Sequence, residues 1–541
     1  MAKFNQIILG LKVLNFKSSI KYLRILKNNF FITNKNSIRF IKHNYKVWKN
    51  ENVKKSKNLL LIDYFESHES ELLRSYFCNI YAKKHDCKVV VFSLGKRLLI
   101  NREWRKIYKS FNVKKFICIF YSSFYLDLFF NFKKKKLFKN NLNELLKNIK
   151  TKRDVINIKY KNIEIGREIY AEYLYRLRKP TVDLKDQKLK DIIYEGIVLI
   201  EYWIDFFKKN NVKAITLSHP NTRFLALSGK VANHFFSIPV FAVNHRYIYS
   251  HLNLNNHRDW IREHLLKIPN YFKKINSNQK IDGIQWAQKR LESRLKGVVG
   301  VDMNYSTDSA FHNNFSNPVI KKNDKIKILI GTHEFYDDPQ ATGGLLFSDF
   351  YEWLVFLGEQ SKKFNYDWYL KNHPDTDPWT VQVINDLLKK YPNIKQVDGK
   401  ISWLQLKNEG INFVFTCHGT IGHECPLLDM QVINADINHP HIAYDFNWTP
   451  KTIDEYENMI KDLPNMKKKI NKNDVYEYYY VVHKLLEKDD IMFKSYKLTK
   501  KLEIKKSKNF VDMFLVEFSN ERHMKIKENI DKLISRNYKN K

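Results

Sequence analysis

The chain has 541 residues, which is too long for one hydrophobic core and predicts about two to four domains. Its 44% hydrophobic and 14% aromatic residues are enough for packed cores and exclude a chain that is disordered throughout. Lysine and arginine total 94 against 57 acidic residues, a formal charge of +37 that fits a Lys- and Asn-rich composition and equally favours an anionic partner.

Cysteine usage and hydropathy narrow the class further. Five cysteines without CxxC spacing indicate neither a disulfide framework nor a zinc site. No apolar run approaches the roughly 18 to 20 residues that span a bilayer, and the apolar start at residues 7–11 is too short for a signal peptide. We therefore expect a cytoplasmic protein, soluble or peripheral at the inner face of the cytoplasmic membrane. Because the positive charge follows no nucleic-acid-reading motif, we expect no nucleic-acid partner.

In chain order, residues 1–57 form a basic N-terminal extension, either an amphipathic membrane-surface segment or a packed extension. Strands alternating with helices follow, and they predict an N-terminal Rossmann-like, acceptor-side domain at residues 58–312 with a helical insertion at about 125–160. Its predicted strands are residues 59–65, 88–92, 116–120, 214–217 and 239–243.

A second α/β unit follows a polar link and predicts a C-terminal Rossmann-like domain at residues 313–465. Its predicted strands are residues 325–330, 366–370, 394–397, 411–415 and 431–435, and helices are expected at 345–363, 377–391 and 421–430. Residues 466–541 read as a helical tail. The predicted fold class is α/β, with two doubly wound Rossmann-like domains and helical N- and C-terminal extensions.

Two short motifs of the second unit stand where a predicted strand ends: Lys371-Asn372-His373-Pro374 and the stretch from Thr416 to Glu424. In an open α/β sheet, ligands bind at this edge, where loops converge and helix N-termini offer unpaired N–H groups. If the strand extends that far, Lys371 and His373 lie on one side of it. We predict a phosphorylated ligand bound by His333, Lys371, His373, His418, Gly419, Thr420 and Glu424.

Each of these residue types has a stated role and a structural alternative. Gly419 and Gly422 permit close approach of the backbone to a phosphate, or simply form a turn. Glu424 can accept hydrogen bonds from ribose hydroxyls or stabilise a helix N-terminus. The Gly-rich loop from Asp337 to Gly344 can close over substrate, and since its acidic pair lacks a third ligand of fixed spacing, we expect no metal.

The order of these motifs resembles the C-terminal half of bacterial capsule and surface-polysaccharide glycosyltransferases of GT-B architecture, the Kdo-transferase-like capsule protein group. The resemblance runs from about Ile326 to Met459 and includes Gln431-Val432-Ile433-Asn434 and the stretch from Asn438 to Phe446. It implies contacts of the donor nucleotide and its phosphates with His373, His418, Gly419, Thr420 and Glu424. The donor nucleotide stays open, because Cys417-His418 stands where a Ser-Ser or Ser-Gly pair is more usual.

The resemblance also implies catalysis without a bound metal or cofactor, with basic side chains offsetting the charge of the leaving group. A carboxylate or histidine of the N-terminal domain would then activate the acceptor. The candidates at the end of the first strand are Asp63, Glu66, His68 and Glu69, with His219 and His245 behind them. Their structural alternative is a set of turn and cap residues.

The sequence therefore predicts a metal-independent glycosyltransferase that moves a sugar from a nucleotide-sugar donor to a capsule or lipopolysaccharide acceptor. An anionic membrane surface is a further candidate partner, held by the basic N-terminus and tail. Two alternatives stay open: a polyol-phosphate transferase or nucleotide-sugar epimerase on the same fold, and a non-catalytic polysaccharide-assembly protein.

Overall fold

The computed structural model of the chain describes residues 34–48, 56–220, 223–243, 248–249, 252–298, 317–373, 376–486 and 519–539. Of the predicted extension at residues 1–57, it covers one helix, α1 (Lys35–Trp48), and the two residues before the first strand. The predicted polar link at 313–324 is described from residue 317 onward. Within these ranges, no helix is both long and apolar enough to cross a bilayer.

The first domain is built on a twisted, mainly parallel sheet. In its described residues the strands are β1 (Asn58–Asp63), β2 (Cys87–Ser93), β3 (Lys115–Cys118), β4 (Lys159–Tyr160), β5 (Ile163–Glu164), β6 (Val212–Leu217), β7 (Val240–Val243) and β8 (Ile248–Tyr249). The main sheet has the order β3-β2-β1-β6-β7-β8, and only β8 is antiparallel, to β7. Strands β4 and β5 form a separate antiparallel pair.

Helices cover both faces of this sheet, because successive side chains of a strand point to opposite faces. Leu60 and Ile62 enter the core on one face, whereas Leu61 enters the core on the other. The helices are α2 (His68–Lys84), α3 (Arg97–Ile100), α4 (Arg102–Ser110), α5 (Ser123–Phe130), α6 (Phe132–Lys147), α7 (Lys152–Ile156), α8 (Gly166–Leu177), α9 (Gln187–Lys209) and α10 (Ala226–Phe236). Polar caps set several of these starts; the Asp186 carboxylate, for example, accepts the Lys188 N–H and begins α9.

The second domain carries a five-stranded, fully parallel sheet. Its strands are β9 (Lys327–Gly331), β10 (Asp367–Lys371), β11 (Ile394–Val397), β12 (Phe413–Thr416) and β13 (Gln431–Asn434). They are arranged in the order β11-β10-β9-β12-β13. The order reverses between the first and fourth strands, as it does between β1 and β6 of the first domain, and this is the Rossmann arrangement. The predicted fold class, α/β with two doubly wound Rossmann-like domains and helical extensions, is confirmed.

The remaining described helices are α11 (His257–Leu266), α12 (Ile268–Lys273), α13 (Ser277–Leu295), α14 (Phe350–Lys363), α15 (Pro378–Lys390), α16 (Trp403–Asn408), α17 (Ile421–Glu424), α18 (Ile453–Asp462), α19 (Lys472–Tyr480) and α20 (Asn520–Lys539). Two of them are shorter than the sequence predicts. Helix α14 begins at residue 350 rather than 345, because the Asp349 side chain accepts the Glu352 N–H and caps it there. Helix α17 ends at Glu424, and a single 3₁₀ turn at Pro426–Leu428 replaces the expected helix to 430.

Direct polar contacts join the two domains. The Lys152 ammonium lies 2.5 Å from the Glu352 carboxylate, and the Tyr170 hydroxyl donates to the Asp349 carboxylate. The tail connects them again: α19 packs against α13 in one apolar cluster, while α20 returns to the first domain. Loops at the carboxyl ends of both sheets come close to one another, since the Asp337 charge acts on His219 and the Glu168 charge acts on Asp338. We call the region between these loops the crevice.

Candidate functional site

The candidate site lies where the strand order of the second sheet reverses, between β9 and β12. His333 follows the end of β9, and its Nε2 accepts the backbone N–H of Cys417 at 3.3 Å and lies 3.1 Å from the Thr416 hydroxyl. An accepting Nε2 places the ring proton on Nδ1. Burial, together with the charges of His418 and His373, lowers the pKa of His333 well below 6.5. His333 is therefore a neutral imidazole that fixes the start of the loop after β12.

The His418 ring sits 4.8 Å from the His333 ring, and a buried carboxylate orients it. Its Nδ1 lies 3.3 Å from the Asp436 Oδ2, with the carboxylate fully buried and the imidazole 27% exposed. Asp436 also accepts the Thr342 hydroxyl at 2.5 Å and the Asn438 N–H at 2.7 Å. One carboxylate thus holds the imidazole and the Gly-rich loop before α14 in register.

The turn after His418 needs glycine for its backbone. Gly419 has φ +121°, in the range that side-chain-bearing residues rarely adopt. Thr420 is exposed at the start of α17, and its hydroxyl makes no cap bond to that helix. The backbone and hydroxyl groups of this turn are therefore presented at the open end of the sheet, beside His418.

Lys371 and Glu424 lie on the opposite face of the sheet from the two histidines. His333 stacks on Phe350 at 4.8 Å, whereas the Lys371 Nζ donates to the Gly399 carbonyl at 2.5 Å beneath Trp403. Burial lowers the pKa of Lys371 to about 8, against the opposing effect of the Glu424 charge.

The Glu424 carboxylate is also occupied. It is 3% exposed, receives the Arg294 guanidinium at 2.5 Å and accepts the Trp403 indole N–H at 3.0 Å. Both carboxylate oxygens of Glu424 thus already have partners, and the predicted contact with ribose would compete with them.

His373 is exposed, two residues beyond the end of β10 at Lys371. Because the strand stops there, the expected sharing of one strand side by Lys371 and His373 does not occur. The His373 carbonyl accepts the Thr376 N–H at 3.1 Å, which closes the turn. Its imidazole contributes positive charge near His333 without belonging to the buried pair.

The first-domain candidates divide between core and rim. Asp63 is 1% exposed and accepts the Ser218 N–H at 2.9 Å, the Ser218 hydroxyl at 2.5 Å and the Arg74 guanidinium at 2.7 Å. Glu66, nearer the surface, pairs with Arg97 at 2.5 Å and accepts from the Tyr64 hydroxyl at 2.5 Å. The three polar contacts of the Asp63 carboxylate thus stabilise the local fold.

His68 begins α2, and its Nε2 lies 2.7 Å from the Ser37 hydroxyl of α1. Burial lowers the pKa of His68. Glu69 lies in the first turn of the same helix, and its side chain falls outside the described part of the structure. His245 also lies outside the described residues.

His219 follows β6 at the switch point of the first sheet, and its side chain is exposed. Its Nδ1 lies 3.2 Å from the Ser218 hydroxyl, which donates its own proton to Asp63. The Ser218 oxygen therefore accepts the His219 Nδ1–H, which leaves the His219 Nε2 as an acceptor. Desolvation by the crevice walls lowers the pKa of His219 below 6.5, opposed by the Asp63 charge. The neutral ring and its tautomer suit a proton acceptor.

The loop after β9 places a buried carboxyl opposite His219. Asp338 is 9% exposed at φ +41°, and burial, then the charges of Glu168 and Asp337, raise its pKa to about 8. The charge of Arg223 opposes this rise, and the charges of Arg223 and Asp337 act on His219 as well. At neutral pH the crevice thus contains a neutral carboxyl and a neutral imidazole. The sequence predicts only that this Gly-rich loop can close over substrate.

Arginines of the first domain contact the loops of the second. The Arg262 Nη1 donates to the Ile437 carbonyl at 2.9 Å, and Arg153 donates to the Leu346 carbonyl. A side chain at Gly343, which has φ +68°, would meet the Arg167 guanidinium at 2.4 Å. Among the described residues, Arg167 forms no ion pair. No sequence motif points to these arginines, since they lie far from both motifs along the chain.

Asp436 is the other residue that the sequence motifs missed. It directly follows β13, at the same carboxyl edge as the two motifs, so the rule that located them also points to it. No group of three or more metal-ligating side chains occurs among the described residues.

Comparisons with known proteins add three distant structural likenesses. No protein-family model and no curated protein sequence matches the chain. A Thermosulfurimonas dismutans KpsC, a beta Kdo 2,4 transferase, is 11% identical, with 51% of this chain and 85% of that chain covered and a TM-score of 0.30. A Neisseria meningitidis UDP-GlcNAc 2-epimerase bound to UDP-GlcNAc is 13% identical, covering 80% and 99%, with a TM-score of 0.24.

The third likeness is to the wall teichoic acid polymerase TagF, 10% identical over 96% of this chain and 100% of that chain, with a TM-score of 0.18. Likeness at these TM-scores decides neither the domain arrangement nor the reaction. The two sheets define the class here: an α/β protein with two Rossmann-like sheets, one mainly and one fully parallel.

Proposed function

We propose that the protein is a metal-independent glycosyltransferase that moves a sugar from a nucleotide-sugar donor to a surface-polysaccharide acceptor. The observation that carries the proposal is that loops at the carboxyl ends of both sheets meet, since Arg167 reaches the Gly343 loop and the Asp337 charge acts on His219. One sheet edge offers the His418–Gly419 turn, and the other offers the neutral His219. Ligands of open α/β sheets bind at such edges.

The donor phosphates fit the second-domain edge. The Gly419 turn presents backbone groups, the exposed Thr420 offers a hydroxyl, and His418 adds an imidazole whose orientation Asp436 fixes. The Arg167 guanidinium lies at the Gly343 loop and supplies positive charge from the facing domain. Fixed positive groups of this kind offset the negative charge that develops on a leaving phosphate.

The acceptor step is assigned to His219 rather than to Asp63. The His219 Nε2 takes the proton of the acceptor hydroxyl, and the oxygen of that hydroxyl bonds to the anomeric carbon of the donor sugar. The bond from the anomeric carbon to the donor phosphate oxygen breaks at the same time. The nucleotide leaves with the bonding electron pair. Asp63 acts through the Ser218 hydroxyl, 2.5 Å away, to hold the His219 tautomer. It is a positioning residue in this scheme.

A nucleotide screen tests the binding half. Melting temperatures are measured with UDP, CMP, CDP, GDP and their sugar conjugates, because a ligand of the folded state raises the melting temperature. We expect one nucleotide to raise it in the parent, and His418→Ala to reduce that shift. The matched control is His234→Ala, an exposed histidine on α10, which should keep the full shift.

Transfer assays with the identified donor test the chemical half. His219→Ala should keep the nucleotide-induced shift and lose about 10²- to 10⁴-fold in turnover, the usual contribution of a general base. Isomerisation of the donor without acceptor would instead identify an epimerase, and a response to CDP-glycerol a polyol-phosphate transferase. No response to any nucleotide, together with glycan binding, would contradict the proposal and favour an assembly protein.

A further inference from the structure

Two consecutive helices of the first domain expose an apolar surface that the fold does not use. Leu126, Phe129, Phe130 and Phe132 are 58%, 70%, 74% and 84% exposed, the highest values for large apolar side chains in the described chain. They occupy the end of α5 and the start of α6, with the Phe129 and Phe130 rings 5.1 Å apart. We call these four side chains the phenylalanine tip. Soluble proteins rarely expose such a group without a partner.

A band of lysines follows the tip directly. The sixteen residues of α6 contain six lysines and one glutamate, with four of the lysines consecutive at residues 133–136. The Lys135 ammonium lies 5.9 Å from the Phe129 ring centroid, so charge and apolar surface meet at the same place. Asp127, the one acid of α5, is paired with Lys134 at 3.1 Å. The charge of the band calls for an anionic partner.

The opposite sides of both helices hold the tip in a fixed position. Phe124 and Leu128 of α5 and Phe138 of α6 are buried in the first-domain core. The pair follows β3 through the 3₁₀ turn at Ile119–Tyr121, so it leaves the sheet at its carboxyl edge.

We infer that the phenylalanine tip and the lysines of α6 form a docking surface for an anionic lipid membrane. Aromatic rings enter the boundary between headgroups and acyl chains, while lysines contact the anionic headgroups around them. Neither helix can span a bilayer, so the contact is interfacial. The sequence prediction assigns membrane contact to the basic N-terminus and tail, much of which lies outside the described residues, and this helix pair is a separate surface. The inference does not rest on the proposed function.

Vesicle co-sedimentation of the full chain tests this surface. The vesicles are phosphatidylcholine alone and phosphatidylcholine mixed with phosphatidylglycerol. We expect binding to the mixed vesicles that weakens as salt is raised. The triple variant Phe129→Ser/Phe130→Ser/Phe132→Ser should bind at least about tenfold more weakly. Lys133→Gln/Lys136→Gln/Lys139→Gln should lose about fivefold per lysine on mixed vesicles and little on neutral ones.

Matched controls remove three exposed apolar side chains and three lysines elsewhere. Ile281→Ser/Leu404→Ser/Met524→Ser replaces side chains that are 56%, 50% and 52% exposed. Lys188→Gln/Lys267→Gln/Lys389→Gln replaces exposed lysines on other helices. Both controls should bind like the parent, and all variants should keep its melting temperature, since none of the changed side chains is buried.

Three results would overturn the inference. The first is no binding of the parent to mixed vesicles, as expected if another segment of the chain covers the tip. The second is an equal loss in the control variants. The third is a parent dimer in light scattering that the phenylalanine variant dissociates without any change in vesicle binding, which would assign the tip to a second copy of the chain.

Discussion

Asp63 offers the sharpest test of whether a residue at the first switch point acts on the substrate or on the fold. Its carboxylate binds three donors, and its partner Arg74 is itself fully buried and also pairs with Glu71 at 2.5 Å. Asp63→Ala removes one of the two carboxylates beside that guanidinium and the acceptor of the Ser218 hydroxyl. Breaking a buried ion pair from one side costs about 3 to 5 kcal/mol.

That cost should appear as local opening of the first domain. At about 1.4 kcal/mol per tenfold change, the amides of β1 and β6 should exchange hydrogen two to three orders of magnitude faster or more. Hydrogen-exchange mass spectrometry resolves these strands from those of the second domain, which should be unchanged. Asp191→Ala is the control, because its partner Lys188 is exposed and 3.7 Å away.

The refuting outcome is equally definite. If Asp63→Ala exchanged at the parent rate in β1 and β6 and abolished sugar transfer, the carboxylate would act directly on the acceptor. The positioning role assigned to it through Ser218 and His219 would then be wrong.

Three further changes probe the second domain. Gly419→Ala should lower the free energy of unfolding by about 1 to 3 kcal/mol, because it forces φ +121° on a residue with a side chain, and should weaken the nucleotide-induced melting shift. Gly95→Ala is the control, because its new methyl group meets open space, and it should change neither quantity. Burial raises the pKa of Asp338 from 3.8 to about 8 in the folded state, so the stability that its proton provides is lost as pH rises from about 4 to about 8. Asp338→Asn should therefore melt higher than the parent above pH 8, with the difference fading toward pH 4. Glu424→Gln should destabilise the domain by about 3 kcal/mol, since it removes the charge beside the buried Arg294. Nucleotide affinity of the folded variant should be unchanged in isothermal titration. A reduced affinity would instead support the predicted contact of Glu424 with ribose.

The strands were predictable because their apolar runs carry the signal directly. The predicted strand at residues 394–397 has the same bounds as β11, and β13 differs from its predicted bounds by one residue. The errors fall where one side chain overrides a periodic pattern. Asp349 shortens α14 from its start, and Pro426 cannot supply the N–H that would have extended α17.

The site was predictable at the level of the sheet edge and not of side-chain direction. His333 and His418 meet because both follow neighbouring parallel strands. Lys371 lies on the far face because side chains alternate along β10, which puts it with Tyr369 rather than Leu370, and its ammonium donates to the Gly399 carbonyl there. Asp338 owes its raised pKa first to burial and then to the charge of Glu168, a residue of the other domain, and no local pattern reports such a distant neighbour.

The return of α20 to the first domain has a consequence for biosynthesis. Ile526, Ile530 and Ile534 are buried in the same apolar cluster as Trp48 and Tyr76. During translation, that cluster stays open until residues beyond 534 have left the ribosome, by which time the whole second sheet has been made. The amino-terminal half therefore completes its folding last, against the usual order in which domains close as they emerge. Nascent chains halted before α20 would carry an unfilled groove along α1 and α2, a surface for chaperones to hold.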